Sequence, residues 1–270
     1  MKFRTYIINL ARSPERRMFM EQQFKDLTME FNIIDAVEGK SYDFADCYDE
    51  ILWRVHNGKP GTPGEKGCAL SHRIALQRML DEELDYALIL EDDIELYPHF
   101  KEIVESELKL RESGKTHWEY LSFNYPSVGW KSIHLWLFMF FNMAKVKKTD
   151  FSFVLKLPIY FLKFIAVSAI YLLEGARETL YARIFPLGKA ARFYRSLYLA
   201  GCYIVTKEGA KKLISLNTPL SYTADALPNE AKKQKGLNFM AHVPLAARQK
   251  REEFESLLYN EHFGKKVISY

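Results

Sequence analysis

The amino-acid sequence predicts an α/β fold built on a parallel or mixed sheet. The most informative observation is the apolar run Tyr86–Leu90, which suits a strand covered by helices on both faces. A second observation is the alternation of strand-like and helix-like segments with short connections, which favours right-handed crossovers. With 270 residues, the chain can bury a full core as one large domain or as one domain with an insertion.

The first strand and helix are predicted at the N-terminus. Tyr6–Leu10 forms a strand, and its apolar run is too short to be a signal peptide. Ser13 then provides a helix N-cap, with Pro14 at the first helical position. The helix that follows carries apolar residues at i, i+4 and i+7, namely Met20, Phe24 and Leu27.

The chain continues this alternation up to about residue 125. A second strand covers Phe31–Asp35, and a glycine-containing loop at 61–64 leads into a helix around Gly67–Glu83. That helix runs into the apolar strand described above. A further helix follows near Phe100–Arg111, and a further strand at Tyr120–Asn124.

The α/β pattern resumes after about residue 198. Gly201–Val205 is predicted as a strand and Lys207–Ile214 as the helix after it. A short strand is predicted near Phe239–Val243. The chain from about Arg248 is polar and is predicted to be partly irregular.

The stretch from about Trp130 to Arg195 departs from this pattern. It holds eleven Lys and Arg against three Asp and Glu, a net charge of +8 in a chain whose total is +4. It is also dense in aromatic residues, and Pro158–Gly175 is predicted as one amphipathic helix. No window reaches the ~18 uncharged apolar residues that a spanning helix needs. The segment therefore favours a helix in a membrane interface, with a helix buried in a dimer or domain core as the alternative.

Net charge and cysteine content limit which classes of partner and which cellular compartment are expected. The net charge of +4 is small and gives no reason to expect a nucleic-acid ligand. The three cysteines, Cys47, Cys68 and Cys202, are far apart and lack metal-site spacing. An odd number of separated cysteines fits a reducing cytosol.

Three consecutive acids follow the apolar strand. Glu91, Asp92 and Asp93 stand at its carboxyl end, where ligands bind in open α/β sheets. Adjacent carboxylates repel one another unless a cation or hydrogen-bond donors neutralise them. Oxygen ligands suit Mg²⁺ or Mn²⁺ together with substrate phosphates. The alternative is an acidic strand end that water solvates.

Two further groups of residues are expected at the same edge of the sheet. Arginine side chains match phosphate oxygens, and a helix N-terminus adds partial positive charge. Ser71 and His72 lie about one turn inside the helix that starts near Gly67, although a single histidine is more often a packed residue than a ligand. The polar residues that follow the first strand are Asn9, Arg12, Arg16 and Arg17.

Taken together, these motifs resemble glycosyltransferase family 25, which contains bacterial lipooligosaccharide glycosyltransferases and collagen galactosyltransferases. The resemblance covers roughly residues 1–125 and 198–250, and the 130–195 stretch is an elaboration outside it. The segments that carry it are Ile8-Asn9-Leu10 with Arg16-Arg17, 64–72 (GEKGCALSH), Leu90-Glu91-Asp92-Asp93, 200–210 (AGCYIVTKEGA) and Asp225.

The resemblance implies a GT-A fold, a UDP-sugar donor, usually UDP-galactose, a divalent metal and inversion at the anomeric carbon. It implies that Asp93 contacts the metal, and that Glu91 or Asp92 contacts the ribose or a metal-bound water. Glu91 is also expected as a metal ligand, with Mn²⁺ or Mg²⁺ as the ion. The residues expected to bind the nucleotide sugar are Ile8, Asn9, Leu10, Arg12, Arg16, Arg17, Asp35, Ala36, Ser71, His72, Glu91 and Asp92.

Inversion requires a carboxylate to accept the proton of the acceptor hydroxyl on the face opposite the leaving group. Asp225, in a loop after the last recognisable block, is the candidate base. A structural role, in which Asp225 caps the next turn, is the alternative. His242 and His262 are both candidates for a third metal ligand, and their spacing does not choose between them.

These observations predict three regions. Residues 1–129 form the nucleotide-sugar-binding half, 130–197 a helical, basic and aromatic insertion, and 198–270 the rest of the core with a tail. The predicted function is a metal-dependent, inverting glycosyltransferase that moves a hexose, preferentially galactose from UDP-galactose, onto a lipooligosaccharide or lipopolysaccharide acceptor. The enzyme is expected to be peripheral at the cytoplasmic face of the inner membrane. The alternatives are transfer of glucose or an N-acetylhexosamine by the same fold, and a non-catalytic membrane-binding scaffold. A homo-oligomer that buries the insertion is the alternative to membrane contact.

Overall fold

The computed structural model describes residues 1–125, 165, 169–170, 173–181, 183–193 and 195–250. In this part of the chain, a seven-stranded mixed sheet has the order β2-β1-β3-β7-β5-β8-β6, and β4 pairs separately with β9. The strands are β1 (Phe3–Asn9), β2 (Asn32–Asp35), β3 (Tyr86–Glu91), β4 (Ile94–Leu96), β5 (Tyr120–Ser122), β6 (Lys189–Ala191), β7 (Cys202–Thr206), β8 (Phe239–Val243) and β9 (Ala247–Gln249). The helices α1 to α6 are α1 (Pro14–Asp26), α2 (Glu50–Asn57), α3 (Pro63–Asp81), α4 (Phe100–Glu112), α5 (Lys207–Leu216) and α6 (Leu227–Gln234). Residues 173–181 and 183–184 are also helical.

Strand β1 lies between β2 and β3, and all three strands are parallel. Their carboxyl ends therefore meet at one edge, where Ile8 pairs in register with Glu91 and Asn9 with Asp35. Strand β7 runs antiparallel to both β3 and β5. Because of this reversal, the start of β7 lies at that edge, and Gly201 O accepts the N–H of Glu91 at 2.9 Å.

Helices cover both faces of the sheet, as the unbroken apolar run of β3 requires. Leu88 and Leu90 pack with α1 and α4 on one face. Ala87 and Ile89, which point the other way along the pleat, pack with α3, α5 and α6. All four side chains are fully buried. The prediction of a mixed α/β fold with a doubly covered strand is confirmed.

Element boundaries differ from prediction where local capping decides them. Helix α3 starts at Pro63 rather than near Gly67, because Thr62 and Glu65 form a capping box. Thr62 Oγ1 accepts the N–H of Glu65 at 3.2 Å, and Glu65 accepts the N–H of Thr62 at 3.1 Å. Helix α1 starts at Pro14 as predicted, but the Ser13 side chain makes no cap hydrogen bond.

Five elements of the described chain were not predicted, namely α2, α6, β4, β6 and β9. Each is short, and β4, β6 and β9 have only three residues. Strand β6 lies inside the predicted insertion, yet it pairs with β8 as an edge strand of the main sheet. Strand β9 lies at the start of the segment that was expected to be partly irregular, and residues 251–270 of that segment lie outside the described residues.

Most of the predicted Pro158–Gly175 helix, and the lysines at 145, 147 and 148, lie outside the described residues. The predicted end of that helix is wrong, since residues 173–181 are helical and Gly175 is inside them. Glu174, expected in a polar stripe, is buried and accepts a hydrogen bond from Arg195 Nε at 2.7 Å. Within the described ranges, no helix is long and apolar enough to cross a membrane.

Candidate functional site

A cavity of about 370 Å³ opens at the edge where β1, β2 and β3 end. Its size is within the range of small-molecule sites. Lys40, Cys68 and Gln249 line it and were not predicted as site residues. Of the predicted site residues, Ile8, Leu10, Arg12, Arg16, Ala36, Ser71, His72, Glu91, Asp92 and Asp93 line it.

The three acids of the predicted metal motif point in three directions. Glu91 is the last residue of β3, and Asp92 and Asp93 form the turn into β4. Asp92 faces β1 and α1. Its Oδ2 accepts a hydrogen bond from Asn9 Nδ2 on β1 at 2.7 Å, and its Oδ1 accepts one from Arg16 Nη1 on α1 at 3.0 Å. Glu91 faces α3, and Asp93 faces β9. The protein therefore holds Asp92 from both oxygens and directs its two neighbours to different partners.

Gln249 connects the other two acids. Its Nε2 lies 3.3 Å from Glu91 Oε2 and 3.1 Å from Asp93 Oδ2. Strand β9 places it there, because β9 pairs antiparallel with β4, which follows the acidic turn. The backbone N–H of Lys250 also donates to Asp93 O at 2.8 Å. One amide group thus lies between two carboxylates that were predicted to share a cation.

The electrostatics of this cluster favour a cation. Burial and the charge of Glu91 raise the pKa of Asp93 to about 7, against the charge of Arg16. Burial also raises the pKa of Asp92, although Arg16 opposes it. Burial acts in the same direction on Glu91, but its hydrogen bond with His72 lowers its pKa overall. Three carboxylates with one arginine carry an excess of negative charge, which a divalent cation offsets.

A second group of ligand-type side chains meets at Glu91. Cys68 and His72 are one helical turn apart on α3, and both face β3. Glu91 Oε1 lies 3.2 Å from His72 Nε2 and 3.7 Å from Cys68 Sγ. Cys68, His72 and Glu91 therefore form a group that could hold a metal ion, with ligand atoms within 4.8 Å of one another. The i, i+4 spacing of Cys68 and His72 on a predicted helix was the available sequence signal, whereas Gln249 had none.

Other residues predicted to bind the donor have structural partners. Arg12 pairs with Glu38 at the rim of the cavity. Ser71 is buried, and its Oγ accepts the N–H of Val37 at 2.8 Å and donates to Gly67 O at 2.7 Å. These contacts hold the segment after β2 against α3.

Three of the predicted donor-binding residues do not line the cavity. Asn9 is buried behind Asp92 and positions it. Asp35 is exposed at the end of β2. Arg17 is exposed on α1 and pairs with Glu21 at 2.8 Å.

Asp225, the predicted base, lies in the turn before α6. Its Oδ1 accepts the N–H of Ala200 at 2.8 Å, which ties this turn to the segment before β7. Burial, Glu91 and then Asp225 all raise the pKa of the Cys68 thiol. The carboxylate of Asp225 is therefore within electrostatic reach of the cavity, although it is not part of the lining.

The structure does not bring His242 to the acidic turn. His242 is buried on β8, and its Nδ1 and Nε2 lie 2.8 Å and 2.9 Å from the carbonyl oxygens of Pro244 and Leu187. His262 lies outside the described residues.

Comparison with known proteins identifies the family. The model of "Glycosyltransferase family 25 (LPS biosynthesis protein)" matches residues 3–228. A "Glycosyltransferase 25 family member" of Drosophila pseudoobscura pseudoobscura is 40% identical over 103 residues, covering 36% of this chain and 16% of that protein. The Xenopus laevis procollagen galactosyltransferase 1-B is 28% identical over 120 residues, covering 42% of this chain and 20% of that protein. The Mus musculus procollagen galactosyltransferase 2 is 28% identical over 123 residues, covering 42% of this chain and 19% of that protein.

The matched segments therefore span a fifth or less of these curated relatives. The family model, in contrast, covers most of this chain, including the β1 end, the α3 motif, the acidic turn and Asp225. The chain belongs to glycosyltransferase family 25.

Proposed function

We propose that the protein is a metal-dependent, inverting GT-A glycosyltransferase that moves a hexose from a UDP-sugar, most specifically galactose from UDP-galactose, to a lipooligosaccharide or lipopolysaccharide acceptor. The observation that carries this proposal is the convergence of Glu91 and Asp93 on one point at the end of β3, at the wall of the cavity. Family membership supports the reaction class.

The residues at that point suit Mn²⁺ or Mg²⁺. Glu91 Oε2 and both oxygens of Asp93 already lie within 3.3 Å of a single atom, Gln249 Nε2. Hard divalent cations prefer such oxygen ligands. The ion, when bound, would neutralise the negative charge that develops on the departing diphosphate. Rotation of the Gln249 amide would turn its oxygen toward the same point.

The donor would lie in the cavity with its diphosphate near the acidic turn. Arg12, Arg16 and Lys40 line the cavity and supply positive charge opposite the phosphates. Gly64, in the first turn of α3, also lines it and brings the partial positive end of that helix to the site. Asp92 would act indirectly, since Asn9 and Arg16 hold both of its oxygens.

We assign the base role to Asp225. Asp225 lies outside the cavity lining, but its charge acts on the Cys68 thiol at the cavity wall. An acceptor hydroxyl bound on the Cys68 side would donate its proton to this carboxylate. The Ala200 N–H would orient this group. Proton removal by a carboxylate opposite the leaving group is what inversion requires.

Galactose is the preferred sugar because several relatives, including the two from Xenopus laevis and Mus musculus described above, carry the name procollagen galactosyltransferase. A glucose or N-acetylhexosamine donor is the nearest alternative. The lipid-linked acceptor follows from the family description, which names LPS biosynthesis. No nucleic-acid partner is proposed, because the net charge is only +4.

Membrane contact at the cytoplasmic face would bring the enzyme to that acceptor. Leu173, Leu180 and Ile184 are exposed apolar residues at i, i+7 and i+11, on one side of a helical stretch. They belong to the segment with a net charge of +8. Basic and apolar groups together bind anionic membrane surfaces. A homo-oligomer that covers these residues is the competing explanation.

The deciding experiment measures UDP release from a panel of UDP-sugars, with Mn²⁺, with Mg²⁺ and with EDTA, in the presence of a detached oligosaccharide acceptor. We expect turnover with UDP-galactose, and this turnover should require the cation. Asp93→Asn should abolish it. Asp225→Asn should lower kcat much more than it changes KM for the donor. Absent turnover with every donor would instead support the non-catalytic scaffold. Turnover that is equal in EDTA and in Mn²⁺ would overturn the metal dependence but not the transferase activity.

A further inference from the structure

Cys68 and His72 form a soft-ligand pair that the proposed oxygen-ligated cation site does not use. They are i, i+4 neighbours on α3, so both side chains point toward β3. His72 is buried, and Cys68 is partly buried at the cavity wall. Thiolate and imidazole are ligands for Zn²⁺-type ions rather than for Mg²⁺ or Ca²⁺.

The distances approach those of a tetrahedral zinc site. Zn–S, Zn–N and Zn–O bonds of about 2.3, 2.0 and 2.0 Å place tetrahedral ligands roughly 3.3–3.6 Å apart. Glu91 Oε1 is 3.2 Å from His72 Nε2 and 3.7 Å from Cys68 Sγ. The full set of three atoms lies within 4.8 Å. Binding would draw together the ligand atoms that lie farther apart than this, up to the 4.8 Å limit.

His72 is oriented for this role by Tyr203. Its Nδ1 lies 3.0 Å from Tyr203 Oη, and the two rings stack with centroids 5.8 Å apart. A metal-bound histidine typically has its second ring nitrogen hydrogen-bonded, which fixes the tautomer. With Nε2 as the ligand atom, Nδ1–H donates to Tyr203 Oη.

Glu91 offers a separate oxygen to each side. Oε1 faces Cys68 and His72, whereas Oε2 faces Gln249 and Asp93. We propose that Cys68, His72 and Glu91 bind a thiophilic divalent cation, Zn²⁺, beside the oxygen-lined point between Glu91 and Asp93. All three residues line the cavity, so water or an incoming ligand can supply the fourth coordination position.

Binding converts the Cys68 thiol to a thiolate and releases its proton to solvent, so affinity rises with pH. The ion occupies the wall of the cavity that the proposed donor would use. Zn²⁺ therefore inhibits any donor-dependent reaction at this site, and it does so by competition with the donor. The metal site itself does not depend on the proposed function.

The test uses Co²⁺ as a spectroscopic substitute, added to the metal-free full-length chain without a histidine tag. We expect a near-ultraviolet sulfur-to-cobalt charge-transfer band and the intense visible bands of tetrahedral Co²⁺. One equivalent of Zn²⁺ should abolish both, and Mg²⁺ in large excess should not. None of these readouts requires turnover, so they remain informative if the transferase proposal fails.

Cys68→Ser should remove the charge-transfer band, and His72→Gln should weaken Co²⁺ binding by at least tenfold, with circular dichroism confirming the fold. Cys47→Ser and His56→Gln are matched controls away from the site and should leave the spectra unchanged. The absence of a charge-transfer band in the unmodified protein would overturn the proposal. So would a band that survives Cys68→Ser or that disappears in Cys47→Ser.

Discussion

Asn9 and Asp92, 83 positions apart in the sequence, share a 2.7 Å hydrogen bond from Asn9 Nδ2 to Asp92 Oδ2. Arg16 Nη1 donates to the other oxygen of Asp92 at 3.0 Å and lies 3.7 Å from Asp93. The middle acid of the triplet therefore anchors the turn to β1 and α1. The acids on either side of it, Glu91 and Asp93, are the ones proposed to bind the cation.

Arg16→Met should destabilise the protein strongly. The Arg16–Asp92 pair is buried, so removal of the arginine leaves uncompensated carboxylates in the interior. Loss of one partner of a buried pair costs about 3–5 kcal/mol. Urea unfolding in EDTA should show this loss in the free energy of unfolding. The double variant Arg16→Met/Asp92→Asn should recover part of it.

Arg17→Met is the matched control for that experiment. Arg17 is the next residue on α1, and its pair with Glu21 is exposed. Exposed i, i+4 pairs contribute only about 0.3–0.5 kcal/mol. Equal losses for the two variants would show that the charge of Arg16 is not what holds the acidic turn.

Gln249→Glu should make the stability of the protein depend strongly on divalent cations. A fourth carboxylate would face Glu91 and Asp93 in place of the amide Nε2, and like charges in a buried site repel. The melting temperature in EDTA should therefore fall below that of the unmodified protein. Saturating Mn²⁺ should raise it by more than in the unmodified protein, because an added carboxylate strengthens cation binding.

Gln77→Glu is the control for Gln249→Glu. The Gln77 amide also donates to an acid, Asp81 at 2.8 Å, but on an exposed face of α3. Its Mn²⁺-dependent shift in melting temperature should equal that of the unmodified protein. A Mn²⁺ response of Gln249→Glu no larger than this would place the cation elsewhere.

The elements that position most of the cavity were predictable because local sequence specifies them. The apolar run of β3 is buried on both faces, and the acids follow at its end. Pro14 starts α1 where it was expected. Tertiary pairing defines the rest: β9 has three residues and forms only because β4 lies beside it. Nothing local in its sequence predicts that Gln249 would reach Asp93.

Arg16 shows a second reason why the contacts of the site could not all be predicted from the sequence. An arginine just after a strand fits a phosphate-binding role, and Arg16 does line the cavity. Its partner Asp92, however, is 76 positions away, and only the parallel pairing of β1 with β3 brings the two together. Residue type therefore predicted positive charge at the site, but the fold determines which acid pairs with the arginine.

Glu107→Gln should stabilise the protein at high pH and have a smaller effect at low pH. Burial raises the pKa of Glu107 to about 7, against the hydrogen bond from the Ala190 N–H, which lowers it. The pKa of an unfolded-chain glutamate is about 4.3. Between these values the folded state holds the extra proton, so stability falls as pH rises toward 7, by up to about 1.4 kcal/mol per pH unit.

Glutamine keeps the acceptor for Ala190 but cannot ionise, so the difference between the two proteins should be largest above pH 7 and shrink toward pH 5. His242 Nε2, 4.0 Å from Glu107 Oε1, and Lys189 are the charged or titratable groups nearby. Urea unfolding at pH 5, 6, 7 and 8 measures the effect. Glu105→Gln, on the exposed side of α4, should show no such trend. A pH-independent difference for Glu107→Gln would mean that Glu107 is ionised throughout.

The exposed apolar residues of the 173–184 stretch should bind membranes. Leu173, Leu180 and Ile184 are 72%, 53% and 56% exposed, and a change of all three to glutamine removes apolar contact without altering charge. In sedimentation with vesicles that contain anionic lipid, the unmodified protein should pellet, and added salt should release part of it. Each basic residue near such a surface contributes about 1 kcal/mol, a term that salt screens. The triple variant should lose the salt-resistant part of the binding, which depends on apolar contact.

Two residues of α2 provide a matched control. Ile51 and Val55 are 77% and 72% exposed, so their change to glutamine removes similar apolar area from a different surface. That variant should pellet like the unmodified protein. The prediction of membrane association is wrong if the unmodified protein stays in the supernatant with every vesicle composition. If, in addition, it is a dimer that the triple variant converts to a monomer, these residues contact a second copy of the chain instead.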